Sequence, residues 1–370
     1  MLAGSMAVGR TPAANPGSGV RSDHAAGDHS NNAAVDHSNN AAGDHSSNAA
    51  GAGCAGCHRG QAMQPQTPMA HAVELAGANP VLASHPSLSF HQGAYTWTVE
   101  TRDGQSTYKV TDGQQTITMP IHWSFGAQAQ TWVFEKDGKF YESIVSFYPS
   151  AKGLGITTGD ERLTPQTLEE AMGRQLGPMD AKLCFGCHAS DAVTEHQLTL
   201  KTMHPGVTCA HCHEGALEHA VDARAGDMST TPALLQDMSA ESLSNFCGQC
   251  HRSWETVVRN GWRGLPDVRF QPYRLANSRC FNGTDPRISC IACHDPHKDL
   301  IRNDAAYDPK CLACHAATAK PTSTGKAKEC PVAKRNCVSC HMQKVTLPGG
   351  YLHFTDHDIR IVKAGEAFPN

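Results

Sequence analysis

Little in this sequence supplies an ordinary hydrophobic core. Aromatic residues make up 6% of the 370 positions, and the mean hydropathy is −0.41. A core built from side chains alone is therefore expected to be thin. No apolar run of about 18 residues occurs, so no segment reads as a membrane-crossing helix. Charge is balanced too: 31 Lys and Arg face 35 Asp and Glu, for a net charge of −4. That argues against nucleic acid as a partner, since it usually needs a concentrated basic patch. Residues 1–20 also lack the apolar stretch of an export signal.

What is abundant is cysteine, with 16 residues, and histidine, with 22. Such a chain is usually organised by disulfides, metals or haem. Read in order, the cysteines form seven Cys-x-x-Cys-His motifs. They are Cys54-Ala-Gly-Cys57-His58, Cys184-Phe-Gly-Cys187-His188, Cys209-Ala-His-Cys212-His213 and Cys247-Gly-Gln-Cys250-His251. Cys290-Ile-Ala-Cys293-His294, Cys311-Leu-Ala-Cys314-His315 and Cys337-Val-Ser-Cys340-His341 complete the series. Chance would supply roughly 0.04 such pentapeptides in a chain of this composition, so the repetition points to covalent attachment of seven haem c groups.

The spacing has a physical reason. Residues three apart share one side of a helical turn, so both thiols reach the two vinyl groups of one porphyrin. The adjoining His is then held against the iron as its proximal ligand. A zinc ribbon needs no His after each pair, and a thioredoxin-like fold carries one pair rather than seven. Two cysteines remain, Cys280 and Cys330, and an oxidising compartment favours a disulfide between them around the fifth and sixth motifs.

Each iron also needs a sixth ligand or an open site. Setting aside the proximal residues and four in the repetitive N-terminal tail (His24, His29, His37, His45), eleven histidines remain for seven places. Local context favours His204, His219, His297 and His357 as distal ligands. His219 lies in the short helical stretch Gly215-Ala-Leu-Glu-His219-Ala, and His297 closes His294-Asp-Pro-His297. His204 precedes the third motif, and His357 follows the last. His71, His85, His91, His122 and His196 compete for the other places, with His353 weaker and His211 inside a motif. Met63, Met69 and Met203 are alternative ligands that would raise a potential, although methionine at such spacing is more often core filler.

Four segments are expected: a low-complexity flexible tail over 1–50, a first haem segment over 51–87, an antiparallel β module over 88–160, and a six-haem domain over 161–370. The tail holds three copies of an octapeptide, starting at Ala25, Ala33 and Ala41. It has no apolar period and reads as a solvated tether. In the third segment the period changes to two. Tyr95, Trp97 and Val99 alternate with threonines, and Ile117, Met119, Ile121, Trp123 and Phe125 repeat the pattern. Asp103-Gly104 and Asp137-Gly138 mark hairpins. Twelve of the 23 aromatic residues fall within Phe90–Tyr148. Beyond Thr164 helices are expected from Pro165 to about Leu176 and over about 239–260, the second with Trp254 and Val257 on its apolar side. Elsewhere in that half the porphyrins themselves are expected to serve as the core.

The pattern Cys184–His188, then Gly206-Val-Thr-Cys209-Ala-His-Cys212-His213 and His219, resembles a multihaem superfamily. That superfamily contains the nitrifier-type tetrahaem cytochrome, pentahaem nitrite reductase and hydroxylamine oxidoreductase. The closing run Cys337–Met342 with Phe354-Thr-Asp-His357-Asp-Ile-Arg-Ile-Val is similar to the end of exported members. The resemblance covers residues 54–60 and 180–362. It implies closely spaced parallel or perpendicular haem pairs with mostly bis-histidine iron. Taken with the β period and the low-complexity tail, the expected fold class is a mainly α/irregular, haem-packed multihaem cytochrome with an inserted antiparallel β module and a disordered N-terminal tail. Two features depart from the resemblance: no Cys-x-x-Cys-Lys occurs, as nitrite reductases of the group usually carry, and there is no eighth haem motif.

The function expected is an exported heptahaem cytochrome carrying electrons along mostly bis-His haems. Its partners would be other redox proteins or an external electron donor or acceptor. The alternative is an oxidoreductase acting on a small nitrogen or sulfur compound at one iron with an open distal site, best sought at the first motif. Haem attachment takes place outside the cytoplasm, so a periplasmic or extracellular location is expected, with the export signal removed or upstream of Met1. A membrane tether through such an upstream segment, and a homo-oligomer or haem filament, are further expectations. More an electron carrier than a catalyst is the reading these features favour.

Overall fold

A computed structural model describes residues 49–321, 325, 327–363 and 365–369. The tail expected over 1–50, with its four histidines, lies almost wholly outside these residues.

The aromatic-rich stretch folds as its two-residue period dictates. Strands β1 (Val73–Leu75), β2 (Ser87–Gln92), β3 (Tyr95–Arg102), β4 (Gln105–Thr111) and β5 (Thr116–Pro120) lead into β6 (Trp123–Phe125) and β7 (Gln130–Lys136). Then follow β8 (Lys139–Tyr148), β9 (Gly153–Ile156) and β10 (Gly173–Gln175). One sheet is the antiparallel meander β2-β3-β4-β5; the other runs β1-β6-β7-β8-β10, with β9 also on β8. Two tight turns hold the hairpins. Asp103 and Gly104 take φ values of 52° and 75°, and Asp137 and Gly138 take 53° and 69°. Positive φ at both central residues matches the right-handed strand twist.

Alternation turns one face of each sheet inward. Trp97 pairs with Val110 and Val99 with Tyr108 across β3 and β4, and all four are buried. They pack with Trp132, Phe134, Ile144, Val145 and Phe147 of the other sheet. Each large side chain buried in this way contributes about 1.5–3 kcal/mol. Trp97 also donates its indole N–H to the Ala171 carbonyl at 2.8 Å.

Twelve α-helices accompany the strands among the described residues. They are α1 (Ala49–Cys57), α2 (Pro80–Ser84), α3 (Leu168–Met172), α4 (Pro178–His188), α5 (Cys209–Cys212), α6 (Ala216–Arg224), α7 (Ala240–His251), α8 (Trp254–Asn260), α9 (Gln271–Ala276), α10 (Cys290–Cys293), α11 (Asp308–His315) and α12 (Cys337–His341). Two differ from expectation. The helix expected from Pro165 begins only at Thr167, whose side chain caps it, and stops at Met172. Gly173 instead enters the sheet opposite Ser143. The segment over 239–260 is two helices, because Arg252 adopts φ 67° and Ser253 starts a new cap. Val257 is buried there but Trp254 is exposed.

The expected fold class is also corrected. The structure is about 34% helical and 23% strand, not a mainly helical haem-packed fold. Strands lie beyond the central module as well: short antiparallel pairs join Ala189–Ser190 to His204–Pro205, Val193–Thr194 to Gln197–Leu198, and Lys344–Thr346 to His353–Thr355. The reason is that side chains do build cores. A second cluster joins Val73, Trp123, Phe125 and Val133 of the sheet to Leu176 and to Ala181 and Phe185 of α4. A small third cluster holds Val268, Val345 and Leu347.

Candidate functional site

Each Cys-x-x-Cys-His motif sits on a helical turn. In α1, α5 and α10 the backbone N–H of the motif His bonds back to the first Cys carbonyl: His58 to Cys54 at 2.8 Å, His213 to Cys209 at 3.0 Å and His294 to Cys290 at 2.8 Å. These i to i+4 bonds hold both thiols on one side. Capping fixes where the turns begin. Ser289 accepts from the Ala292 N–H before the fifth motif. The Asp308 carboxylate on α11 accepts from the N–H groups of Asn336 and Cys337 at 2.7 and 2.8 Å. The sixth motif's helix thus anchors the seventh motif's turn.

Thiols of different motifs meet in space. Cys54 lies beside Cys209, Cys187 beside Cys250, Cys247 beside Cys290, and Cys311 beside Cys337. Cys212 lies within electrostatic reach of Cys247 and Cys250, and Cys293 of Cys311. Motifs one, three, four, five, six and seven therefore follow one another, with motif two beside motif four. The first motif, expected in a segment of its own before the β module, lies against the third motif. All 16 cysteines are free, Cys280 and Cys330 included, so the expected bridge between those two is not formed.

A cavity of about 2700 Å³, against roughly 300–1,000 Å³ for an ordinary small-molecule site, is lined mainly by the second half of the chain, with Thr67, Met69, Ala72 and Gly126 from the first. Both cysteines of motifs four to seven line it, as do Cys187, Cys212, Cys280 and Cys330. So do His188, His251, His294, His315, His341 and His357. Leu300, Ile301, Val332 and Ile361 are exposed large aliphatic residues that also line this space. Such a wall suits a large apolar occupant. Arg279, Arg302, Lys310 and Arg335 line it too, and none forms a salt bridge among the described residues. They offer donors for carboxylates such as the haem propionates.

The histidines separate into groups. Three pairs of rings face each other: His58 and His219 with centroids 6.2 Å apart, His213 and His297 at 6.1 Å, and His294 and His357 at 6.1 Å. A metal midway between two imidazole nitrogens, each about 2 Å away, separates ring centres by roughly 6 Å. The far nitrogens are tied down. Nδ1–H of His219 donates to the Thr230 carbonyl at 2.7 Å, and that of His357 to Thr355 at 3.0 Å. His297 Nδ1 faces the Asp295 carboxylate at 3.3 Å. Three motif histidines are held likewise: His188 by Ala72 at 2.8 Å, His315 by Lys328 at 2.7 Å and His341 by Arg360 at 3.0 Å. A carbonyl can only accept, so Nδ1 carries the proton and Nε2 presents its lone pair, as metal-ligating histidines do. Burial pushes His188, His251 and His294 below the ordinary imidazole value, and His357 down to about 4.

The other histidines are placed differently. His71, His85, His91, His122, His196 and His204 do not line the cavity. His85 lies on Phe147 with centroids 4.7 Å apart, His91 sits on β2 beside Thr96, and His71 pairs with Glu74. His196 is exposed with φ 63°, and His204 faces Asp191 at 3.2 Å. His122 Nδ1 accepts from the Glu135 N–H at 3.4 Å, which leaves its proton on Nε2. His211 and His353 do line the cavity. Met69 lines it as well, Met63 is exposed, and Met203 packs on the second core cluster.

Among the described residues no group of three or more His, Cys, Asp or Glu side chains is arranged to hold a metal directly. A structural zinc needs four such ligands, whereas a haem iron takes at most two from the protein. The donor set fits haem better than zinc. The chain matches no family model, no curated protein and no solved structure.

Sequence reasoning did not find the carbonyls of Ala72, Lys328 and Arg360, since a backbone acceptor leaves no mark on residue type. It also did not weigh Arg274, whose buried ion pair with Asp356 adjoins His357. The run Asp356-His357-Asp358 was the available signal.

Proposed function

We propose that this chain is an exported heptahaem c-type cytochrome that carries electrons between redox partners, related to the multihaem superfamily its motifs resemble. The observation carrying this reading is the three imidazole pairs at 6.1–6.2 Å, each containing one motif histidine. Haem c, when bound, supplies a one-electron couple whose potential His/His ligation keeps low.

The residues of the chain do the remaining work. The motif thiols hold seven groups, and the contacts between thiols keep neighbouring groups close enough to form a series. Carbonyls at Nδ1 orient the imidazoles and keep Nε2 free for iron. His58, His188, His213, His251, His294, His315 and His341 are the proximal ligands, with His219, His297 and His357 distal to the first, third and fifth. Cys57 of motif one and Cys340 of motif seven, at the two ends of the series, are both exposed. Those ends are where a donor and an acceptor outside the cytoplasm would exchange electrons.

The test is haem quantification with EPR of the oxidised protein. Seven haems per chain and predominantly low-spin iron are expected. A chain matured in a host competent for cytochrome c assembly that carries no covalent haem would sink the proposal.

A second reading keeps a place. His188, His251, His315 and His341 have no ring partner like the three pairs above among the described residues. A reductase or oxidase of a small nitrogen or sulfur compound would therefore act at motif two, four, six or seven rather than at motif one. CO binding to the reduced protein favours this reading, and no spectral response to CO removes it.

A further inference from the structure

The strap that follows the strand His353–Thr355 serves two motifs at once. His357 faces His294 of motif five. Three residues on, the Arg360 carbonyl accepts from Nδ1–H of His341 in motif seven at 3.0 Å, and the Arg360 N–H donates to the His341 carbonyl at 3.1 Å. A shift of the strap would therefore disturb both.

What holds the strap is a buried fork. Arg274 Nε and Nη2 donate to Asp356 Oδ1 and Oδ2 at 2.8 and 2.9 Å. The two side chains are 2% and 0% exposed. Nη2 also reaches Asp358 at 3.4 Å, Nη1 donates to the Pro369 carbonyl at 3.1 Å, and the guanidinium lies over Phe368. One turn further along the same segment, the Ser278 hydroxyl donates to the His357 carbonyl at 2.7 Å and accepts from the Ile359 N–H at 2.8 Å. A buried ion pair adds little net stability compared with apolar residues of the same volume. Its bidentate geometry does fix register, because two parallel bonds allow one orientation of the partner.

We infer that Arg274 and Asp356 are positioning residues: their ion pair sets the strap over 355–360 so that His357 meets the iron of motif five while the Arg360 carbonyl orients His341 at motif seven. This rests on the haem reading proposed above. The two can fail separately.

Full-length His357→Ala, Asp356→Asn and Arg274→Lys chains, matured with haem, are compared by EPR and by CO difference spectra. His357→Ala is expected to convert one low-spin iron per chain to a high-spin, CO-binding one. Asp356→Asn is expected to produce the same new signal with His357 intact. Arg274→Lys keeps the charge but not the fork, and is expected to show it in part of the population. If His357→Ala opens an iron while both clamp variants hold seven haems with unchanged spectra, the clamp is overturned and the haem reading stands. If His357→Ala carries seven haems and opens no iron, the pairing of His294 with His357 is wrong and the clamp falls with it. Should Asp356→Asn fail to accumulate, Arg274→Lys decides by the same spectra.

Discussion

The ring planes of His213 and His297 lie 8° from parallel with centroids 6.1 Å apart, whereas those of His58 and His219 are inclined at 54° at nearly the same separation. Under the haem reading proposed above, equal spacing with unequal twist would give two irons of one ligand type different surroundings. Parallel imidazole planes act on the same iron d orbital and split it from its partner. Crossed planes act on both alike. The oxidised protein should therefore show distinct low-spin species. His297→Ala should remove a strongly rhombic one, and His219→Ala one of higher symmetry. Identical EPR losses in the two variants would contradict the assignment of both pairs.

Asp160 offers a pH test in the other half of the chain. Burial, with Glu142 and Glu161 nearby and Arg174 only partly offsetting them, raises its carboxyl to about 7, and its Oδ2 has no hydrogen-bond partner. The folded state thus binds this proton more tightly than the unfolded chain, whose value is 3.8. The sign follows: stability from this group is present below the unfolded value and is lost as pH rises towards 7. Asp160→Asn should stabilise the protein at pH 8 by on the order of 2 kcal/mol, with allowance for partial exposure, and change little near pH 4. Equal effects at both pH values in thermal melts would refute this.

Much of this was legible in the sequence, and the division follows the length scale of each signal. The motifs are five residues long and carry their meaning locally. The β hairpins over Tyr95–Tyr148 were visible because a period of two and Asp-Gly turns are also local. The fold class was misjudged because porphyrins were expected to supply the core beyond the β module, whereas Trp123, Phe125 and Phe185 meet in a second side-chain cluster and Val268, Val345 and Leu347 in a third. Strand Gly173–Gln175 was missed because its partner in β8 lies about thirty residues back. Of the four candidate distal histidines that local context favours, His219, His297 and His357 each face a motif histidine, and His204 faces Asp191 instead. The motif partners of the three were not legible, since His58 and His219 meet only through the fold.

Gly206 tests how the first motif reaches the third. It has φ 76°, and a Cβ there would stand 1.8 Å from the Ala70 carbonyl oxygen. Around it Val207 N–H donates to the Met69 carbonyl at 3.0 Å, and Gln64 Nε2 donates to the Val207 carbonyl at 2.8 Å. Gly206→Ala must break this seam, at a cost of about 3 kcal/mol or more where backbone strain and lost bonds combine. Limited proteolysis should then cut between His58 and His71 faster than in the parent. Unchanged cleavage would show that the seam does not hold the first motif.

The β core makes a contrasting prediction. Trp97 is 2% exposed, and its indole donates to Ala171 rather than to any motif. Trp97→Ala should cost about 3–5 kcal/mol through the cavity left behind. None of the core cluster around it belongs to a Cys-x-x-Cys-His motif. Denaturation should therefore shift strongly while haem per chain in the surviving folded protein stays constant. A proportional loss of haem would mean that the module's fold is needed for attachment.

Cys280 and Cys330 decide the redox chemistry left over after the motifs. Both are free thiols lining the cavity, and they respond to different surroundings. Cys280 is exposed, yet desolvation of its thiol by the surrounding chain pushes it up to about 11, whereas hydrogen bonds from the Ala333 and Val332 backbone lower Cys330. At neutral pH the thiolate fraction, and with it nucleophilicity, is therefore larger at Cys330. Alkylation of the native protein should label Cys330 first and Cys280 only slowly. Under the haem reading proposed above, in which the fourteen motif cysteines would be thioethers, alkylation after unfolding without reductant should label these two alone. A mass showing no alkylated thiol after unfolding would mean that the two are bridged in the mature protein, and the cavity wall would then be closed by a covalent link between the segments before α10 and before α12.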